Sequence, residues 1–386
     1  AAISAMQLAG GLDYLVQIAE RILRSNPKYI NYLAPTVTYF LTILAGTGHT
    51  AFSMIPVIVE VAKEQNIKPS APLSIAVVAS QIAITASPVS AAVVYMTGAL
   101  EPLGWSYPLL LAIWIPTTFI GCMLTAFVVT MFSNLDLSSD PVYQDRLAKG
   151  LVKPAVGAQN MQLKEGAKLS VGIFLIGVLA VVLYATAISK IGGKPVFIEN
   201  VVVPRDAAIM SFMLGVATFI TILCKIEVGK IAESSVFKSG MIACVCVLGV
   251  AWLGNTFVDG YKTQIGELSS DLVKQIPALL AVAYFFAATL LYSQAATAKA
   301  ITPVVITALG ISVANPGDSY MIVASFAAVS ALFVLPTYPT LLGAVQMDDT
   351  GSTRIGHYIF NHAFLIPGVL AIAFSVILGF VAVAFV

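Results

Sequence analysis

The chain has 386 residues, of which 59% are hydrophobic and only 10% are charged, and its mean hydropathy is +0.92. No soluble core needs so apolar a composition, so the chain is predicted to be an all-α integral membrane protein. The formal net charge of +1 argues against a nucleic-acid partner, because phosphate backbones are bound by clustered basic residues.

The first part of the chain, residues 1–132, is predicted to be one repeat. It begins inside a helix and without a methionine, so we expect further spans before it. Two of its apolar segments are interrupted by helix-breaking residues, at 46–50 and at 84–88, where Pro88 removes a backbone donor. In chain order the predicted elements are a scaffold helix at residues 1–18, a re-entrant helical hairpin at 29–62, a broken span at 71–96 and a full span at 107–132.

Residues 133–168 form the one long polar stretch and are predicted to be a cytoplasmic linker, and residues 169–386 are predicted to be a second repeat. This repeat again contains a hairpin, with small and hydroxyl residues at 293–297 as its tip, and a broken span with its break at 335–340. In chain order the predicted elements are spans at residues 169–188, 207–224 and 237–257, a hairpin at 276–310, a broken span at 320–347 and a last span at 360–386.

The order of hairpin and broken span thus occurs twice. Thr50 precedes Pro56 by the same interval that separates Thr297 from Pro303. An odd number of predicted spans lies between the hairpins, so they are expected to enter the membrane from opposite sides, as inverted repeats do.

The distribution of basic residues gives an orientation. If the first hairpin opens to the cytoplasm, fourteen lysines and arginines lie on that side, Lys299 lies in the membrane and five lie outside. The five are Lys190, Lys194, Arg205, Lys262 and Lys274.

Four helix breaks near the middle of the membrane are predicted to form an anion-binding site, because half-helix N-termini present free N–H groups and partial positive charge. Hydroxyls there can donate to carboxylate oxygens, although Ser and Thr also satisfy loosened backbone in apolar helices. The candidate substrate-binding residues at the breaks are Thr47, Gly48, His49, Thr50, Thr85, Ser87, Pro88, Ser293, Thr297, Thr337, Tyr338, Pro339 and Thr340.

Lys299 completes the candidate site. A lysine at membrane depth costs about 3 kcal/mol on insertion scales, so it is predicted either to neutralise an anionic substrate or to snorkel to the interface. Its place two residues beyond Thr297 makes snorkelling hard. His49 could take part in proton coupling or act as a neutral hydrogen-bond donor, which we favour because no carboxylate lies nearby in sequence.

Neither an enzyme nor a metal centre is predicted, and no cofactor. The three histidines are widely separated, and the breaks hold no acidic residue, so a general acid–base pair is missing. The cysteines lie within or at the edge of apolar runs and are predicted to be packing residues: Cys122, Cys224, Cys244 and Cys246.

The stretches around the breaks are AGTGHTAFSMIPVIVEVAKEQNIKPSAPLSIAVVASQIAITASPVSAAVVY (residues 45–95), CVLGVAWLGNTFV (246–258), LLYSQAATAKA (290–300) and VLPTYPTLLGAVQMDDTGSTRIG (334–356). In these stretches, and over its whole length, the sequence resembles the anaerobic C4-dicarboxylate (Dcu) transporters of bacteria. The resemblance implies the ion-transporter superfamily, whose scaffold and transport domains move by an elevator-like step, and whose members are commonly dimeric.

The resemblance also implies a multi-pass protein of the bacterial inner membrane, surrounded by lipid, with a homodimer as an expected assembly. The implied substrates are fumarate, succinate, malate and aspartate, exchanged for one another during anaerobic growth. Sodium-coupled relatives carry Ser-Asn-Thr at both tips, whereas Gly48-His49-Thr50 and Ala295-Ala296-Thr297 lack the asparagine here, which argues against sodium coupling.

A physical argument favours exchange, since a dianion would stabilise the loaded carrier while the empty carrier leaves Lys299 unpaired. Other readings stay open. One is a proton- or sodium-coupled symporter of another small carboxylate, such as lactate or citrate. A membrane-embedded enzyme is disfavoured by the missing acid–base pair, and a channel by the absence of a ring-forming polar helix.

Overall fold

The computed structural model describes residues 2–153, 162–191, 194–198, 200–234, 237–238, 241, 256, 260–261 and 276–386. These residues are helical apart from loops and one antiparallel pair of two-residue strands, β1 (Lys190–Ile191) and β2 (Lys194–Pro195). The predicted all-α class is therefore confirmed. Four described stretches are long and apolar enough to cross a membrane: Ser70–Leu103, Tyr107–Phe132, Ala167–Ala187 and Leu365–Val383.

Four helices precede the first broken span: α1 (Ala2–Leu8), α2 (Gly11–Ser25), α3 (Ile30–Ala45) and α4 (Ala51–Glu64). Helix α2 runs past the predicted helix end at residue 18. Its apolar residues Val16, Ala19 and Leu23 keep a spacing of three to four and form one buried face. Beside this face Arg24 pairs with the buried Glu20, one turn earlier, at 2.8 Å.

Helices α5 (Ser70–Ile82), α6 (Ala91–Leu100) and α7 (Tyr107–Phe132) follow, and α7 has the predicted bounds. The linker contains a helix that the sequence reading did not predict, α8 (Pro141–Ala148). Asp140 caps it by accepting hydrogen bonds from two backbone N–H groups, and a proline at the first helical position needs no such partner.

The second part of the chain contains α9 (Ala167–Ala187), α10 (Arg205–Leu223), α11 (Leu279–Leu291), α12 (Gln294–Ala308), α13 (Tyr320–Ser325), α14 (Pro339–Met347) and α15 (Leu365–Val383). The predicted span at residues 237–257 lies outside the described residues, except for 237–238, 241 and 256. Cys244 and Cys246 also lie outside them.

The second broken span begins to unwind earlier than predicted. Helix α13 ends at Ser325, a 3-10 turn covers Phe326–Ser330, and the chain is irregular as far as Tyr338. The Ser330 hydroxyl donates to the carbonyl of Gln81 on α5 at 3.1 Å. Tertiary contacts of this kind override the local helix propensity on which the prediction rested.

Buried apolar side chains form two large clusters. The smaller joins α1, the start of α2, α9 and α10 through residues such as Met6, Phe174 and Ile220, and we call these helices the side bundle. The larger, the central core, joins the end of α2 and Ala185 of α9 to helices α3–α7 and α11–α15. Helices α2 and α9 contribute to both clusters, so they connect the two bodies.

Helices α7 and α15 pack closely through small residues. A Cβ atom at Gly121 of α7 would collide with Ser375 of α15, and α15 also packs on α13, where a Cβ atom at Gly379 would collide with the backbone of Ala324. Small residues of this kind let membrane helices approach each other. The last spans of the two predicted repeats are thus in direct contact.

Candidate functional site

The first helix break lies between α3 and α4 and is held by its own hydroxyls. Helix α3 ends because Gly46 takes left-handed backbone, with φ +67°, which a residue without Cβ adopts readily. The Thr47 hydroxyl accepts a hydrogen bond from the N–H of His49 at 3.4 Å. The Thr50 hydroxyl donates to the Thr47 carbonyl at 3.2 Å. This turn leads into the N-terminus of α4.

The second break lies between α11 and α12. Tyr292 takes left-handed backbone at φ +54°, and the Ser293 hydroxyl caps α12 by accepting from the N–H of Ala296 at 3.2 Å. The Thr297 hydroxyl donates to the Ser293 carbonyl at 2.8 Å. The break is therefore shorter than the predicted tip at residues 293–297, most of which forms the first turn of α12.

The break between α5 and α6 is fastened to its neighbours. Ser90 caps the N-terminus of α6. The Ser87 hydroxyl donates to the carbonyl of Ile43 on α3 at 2.6 Å, and the Tyr107 hydroxyl donates to the carbonyl of Pro88 at 2.9 Å. Ser87 and Pro88 thus hold the break in place beside the first one.

One cavity of ≈ 270 Å³ is lined by the N-termini of α6, α12 and α14 and by residues 46–49 of the turn before α4. No side chain of the lining is acidic or basic apart from one histidine. Exposed N–H groups at helix N-termini carry partial positive charge, so the wall favours an anion. The lining residues are Gly46, Thr47, Gly48, His49, Ile84, Ala91, Ala92, Tyr292, Ser293, Gln294, Ala295, Tyr338 and Pro339.

This cavity, which we call the tip cavity, contains six of the predicted site residues: Thr47, Gly48, His49, Ser293, Tyr338 and Pro339. Seven others surround the breaks without lining it: Thr50, Thr85, Ser87, Pro88, Thr297, Thr337 and Thr340. Tyr292 and Gln294, which flank Ser293, also line the cavity but were not predicted from the sequence. They could have been predicted because Ser293 is the N-cap of α12 and both are adjacent to it.

Several hydroxyls outside the lining serve the loosened backbone. The Thr85 hydroxyl donates to the Ile82 carbonyl at 2.7 Å, just as that of Thr297 bonds within its own helix. Thr340 differs, because it is fully buried and its hydroxyl has no hydrogen-bond partner among the described residues.

His49 presents a polar group that the protein does not use. Its ring stacks on Phe52, with centroids 6.1 Å apart and planes 6° from parallel. Its Nδ1 atom is buried and has no hydrogen-bond partner within the described part of the chain. A buried polar atom without a partner is costly, and the His49 side chain lines the tip cavity, so this residue is a candidate ligand contact.

Two tyrosines form part of the wall of the tip cavity. The rings of Tyr292 and Tyr338 stack with their centroids 6.2 Å apart. The Tyr292 hydroxyl is hydrogen-bonded to the hydroxyl of Thr337, which links the second hairpin to the second broken span. The wall is therefore built from both breaks of the second half.

Lys299 does not line the tip cavity. It lies on the exposed side of α12, with its Nζ atom 5.9 Å from the centroid of the Tyr95 ring, and borders a neighbouring cavity of ≈ 870 Å³. The two cavities share Ala91.

The apolar helices and the cavity between their broken ends define an all-helical membrane protein. Residues 1–386 match the family described as "Anaerobic c4-dicarboxylate membrane transporter", and the chain belongs to this family.

Curated relatives agree with this family. The chain is 65% identical to "C4-dicarboxylate transporter DcuA" of Helicobacter pylori (strain J99), over 98% of the chain and 85% of the relative. It is 54% identical to the protein of that name from Escherichia coli K12, over 99% of the chain and 86% of the relative. "Anaerobic C4-dicarboxylate transporter DcuB" of Escherichia coli O6:H1 is 37% identical, over 99% of the chain and 85% of the relative. No solved structure matches.

Proposed function

We propose that the protein exchanges C4-dicarboxylates, such as fumarate, succinate, malate and aspartate, across the bacterial inner membrane. The observation that carries this proposal is the tip cavity, whose wall contains the N-termini of α6, α12 and α14 and no acidic side chain. The partial positive charge of these helix ends favours a small anion such as a dicarboxylate. The names of the relatives supply the substrate class.

The substrate carboxylates are bound by donors at the two tips. The hydroxyls of Thr47 and Ser293 already accept hydrogen bonds from backbone N–H groups, so their protons remain to be donated. The His49 ring supplies a third polar contact. Gly48 lies against the backbone of Ser80, where a Cβ atom would come within 3.3 Å of its carbonyl oxygen, so the tip stays close to α5.

The remaining candidate residues have supporting roles in this proposal. Tyr338 and Pro339 shape the wall of the tip cavity. The hydroxyls and the proline around the breaks, namely Thr50, Thr85, Ser87, Pro88, Thr297, Thr337 and Thr340, fix the geometry of the helix ends. Lys299 acts from the neighbouring cavity.

The two halves, residues 1–132 and 169–386, are inverted repeats whose hairpins re-enter the membrane from opposite sides. This proposal is supported by the cavity lining, because helix breaks from both halves line the same cavity. During transport the central core moves relative to the side bundle in an elevator-like step. The separate packing of the two bodies supports this motion. Exposed apolar side chains on α9 and α10, such as Ile176 and Phe219, face lipid.

Uptake of labelled fumarate into liposomes tests this function. The protein is reconstituted into liposomes that contain either succinate or buffer alone, without a sodium gradient. We expect uptake only into liposomes that contain succinate. Without a bound anion the partial positive charge of the tip cavity is uncompensated, so the empty central core moves across the membrane poorly. Equal uptake into both preparations contradicts exchange and favours a proton-coupled symporter. Uptake that requires sodium favours a sodium-coupled one. Uptake of lactate or citrate in place of fumarate overturns the substrate class.

A further inference from the structure

The cavity beside the tip cavity contains three charged side chains. Its walls come from α6, α10 and α12, and it is bordered by Glu101, Arg205, Lys299 and the ring of Tyr95. Glu101 follows α6 in the central core, whereas Arg205 is the first residue of α10 in the side bundle. The cavity therefore lies where the two bodies face each other.

The Arg205 guanidinium is occupied by a carboxylate of the protein itself. Its Nη1 and Nη2 atoms donate to the two carboxylate oxygens of Glu101 at 2.6 and 2.8 Å. Nη2 also donates to the Ser189 hydroxyl at 2.9 Å, and the guanidinium lies 5.2 Å from the centroid of the Tyr107 ring. This fork geometry is the one in which arginine binds any carboxylate, including that of a ligand.

Lys299 supplies a positive charge that no acidic side chain of the described residues neutralises. It is exposed, borders the cavity and lies with its Nζ atom 5.9 Å from the centroid of the Tyr95 ring. With Glu101 and Arg205 paired, the three charged groups leave a net charge of one positive unit. A cation in such a cleft attracts anions and raises their local concentration.

The cavity lies beside the tip cavity. Ala91 borders both. Lys299 lies one helical turn, about 6 Å along the axis of α12, from Ala295, which lines the tip cavity. On the orientation set by the basic residues, Arg205 lies at the outer side of the membrane.

We propose that this cavity is a capture site for the dicarboxylate, in which Lys299 attracts the dianion and a substrate carboxylate displaces Glu101 from the Arg205 guanidinium. The proposal rests on the proposed function and adds a second binding place to it. Until substrate binds, Glu101 holds the Arg205 guanidinium in the orientation that binds a carboxylate. Its release separates the side bundle from the central core at this point, so capture and movement are linked.

Two substitutions test the capture site because they shift fumarate affinity in opposite directions. Lys299→Gln removes the attracting charge, so we expect the KM for uptake to rise about tenfold at low salt, with the maximal exchange rate unchanged. Glu101→Gln removes the competing carboxylate, so the KM falls about threefold or more. Lys299→Arg, the matched control, keeps the parental KM. A merely structural role would impair uptake in both variants.

Salt gives the second readout. Between about 0.01 and about 0.1 M ionic strength the Debye length shrinks from about 30 to about 10 Å, so uptake by the parent protein slows while that of Lys299→Gln changes much less. Removal of one partner from a buried ion pair destabilises proteins, so Glu101→Gln needs a milder companion variant. Glu101→Asp keeps the negative charge but has a shorter side chain, and it should lower the KM by a smaller factor.

Another variant blocks the cavity without changing its charge. A Cβ atom at Gly98 would meet nothing within 4 Å, so Gly98→Phe fills the cavity without a backbone clash and should slow uptake severalfold. A parental KM and salt dependence in Lys299→Gln, or a raised KM in Glu101→Gln, overturns the capture site while leaving the tip cavity in place. Absence of any fumarate uptake by the unaltered protein overturns both proposals.

Discussion

The side-chain amide of Gln294 donates a hydrogen bond to the backbone carbonyl of Gln81 at 3.0 Å, across 213 positions of sequence. The Ser330 hydroxyl donates to the same carbonyl. One oxygen near the end of α5 therefore holds the tip of the second hairpin and the second broken span. The side-chain Nε2 and Oε1 atoms of Gln81 have no partner among the described residues, although the residue is fully buried.

Replacing Gln294 with leucine should lower the stability of the protein by about 1–3 kcal/mol, because the buried Gln81 carbonyl loses a hydrogen-bond donor. Uptake should fall as well, since the start of α12 is no longer held against α5 and the tip cavity changes shape. Thermal unfolding in detergent and initial uptake rates measure both effects. Gln346→Leu, on the exposed side of α14, is the control. Parental stability and uptake in Gln294→Leu would show that this hydrogen bond does not organise the site.

The hydroxyls at the breaks should separate into two groups. Thr47→Val and Ser293→Ala remove donors that line the tip cavity, and we expect each to raise the KM for fumarate about tenfold. Thr85→Val removes only a bond within its own helix and should retain near-parental kinetics. Concentration series of labelled fumarate measure the KM values. If Thr85→Val is impaired as strongly as the other two, its hydroxyl has a role in binding that the geometry does not assign.

His49→Ala should lose most of its fumarate affinity, because the ring provides a buried polar atom at the cavity wall. His49→Gln, which restores a side-chain hydrogen-bonding group of similar size, should recover part of it. His357→Ala is the matched control, since that histidine is exposed and lies outside the tip cavity. Equal KM values for His49→Ala and His357→Ala would remove His49 from the site.

The linker should loosen in acid through Asp140. Burial alone would raise the pKa of this carboxyl, but the N–H of Val142 and the charge of Arg354 hold the pKa below its ordinary value of 3.8. Lys68 adds an ion pair at 3.5 Å. A carboxyl whose pKa is lowered by folding stabilises the protein above its ordinary pKa, and this contribution is lost as the pH falls through the lowered value.

The Asp140→Asn variant should therefore unfold at a lower temperature than the parent at pH 7, and the difference should shrink as the pH falls below about 4. Thermal unfolding across this range is the measurement. Asp145→Asn is the control, because its pair with Lys149 is exposed and such pairs contribute little. A difference between Asp140→Asn and the parent that stays constant with pH would mean that the carboxylate charge is not what holds the linker.

The proposed inversion of the repeats predicts opposite accessibility for the two hairpin bases. In a cysteine-free background, Gln65→Cys at the end of α4 should react with an impermeant thiol reagent only from the cytoplasmic side. Val313→Cys, which follows α12 and is 72% exposed, should react only from outside. Inside-out and right-side-out membrane vesicles distinguish the sides. Labelling of both from one side would exclude the inversion.

Features governed by local chemistry could be predicted from the sequence. The break at Gly46 follows from a residue that adopts left-handed backbone freely, and the break at Pro88 from a missing backbone donor. The bounds of α7 follow from an unbroken apolar run.

Features governed by packing could not be predicted from the sequence. The place of Lys299 depends on how far the tip cavity extends along α12, which the packing of α6 and α10 decides. The bond from Gln294 to Gln81 joins distant parts of the chain, and no periodicity indicates such a partner. The early unwinding after Ser325 also reflects tertiary contacts rather than a local breaker.

The close contact at Gly121 and Ser375 joins the parts of the chain on either side of the linker. Helices α7 and α15 pack against each other through small residues, and the central core draws its side chains from both halves of the chain. Neither half therefore has a complete interior of its own. A chain cut in the linker should stay assembled, whereas either half produced alone would lack the buried side chains that the other half supplies to the central core.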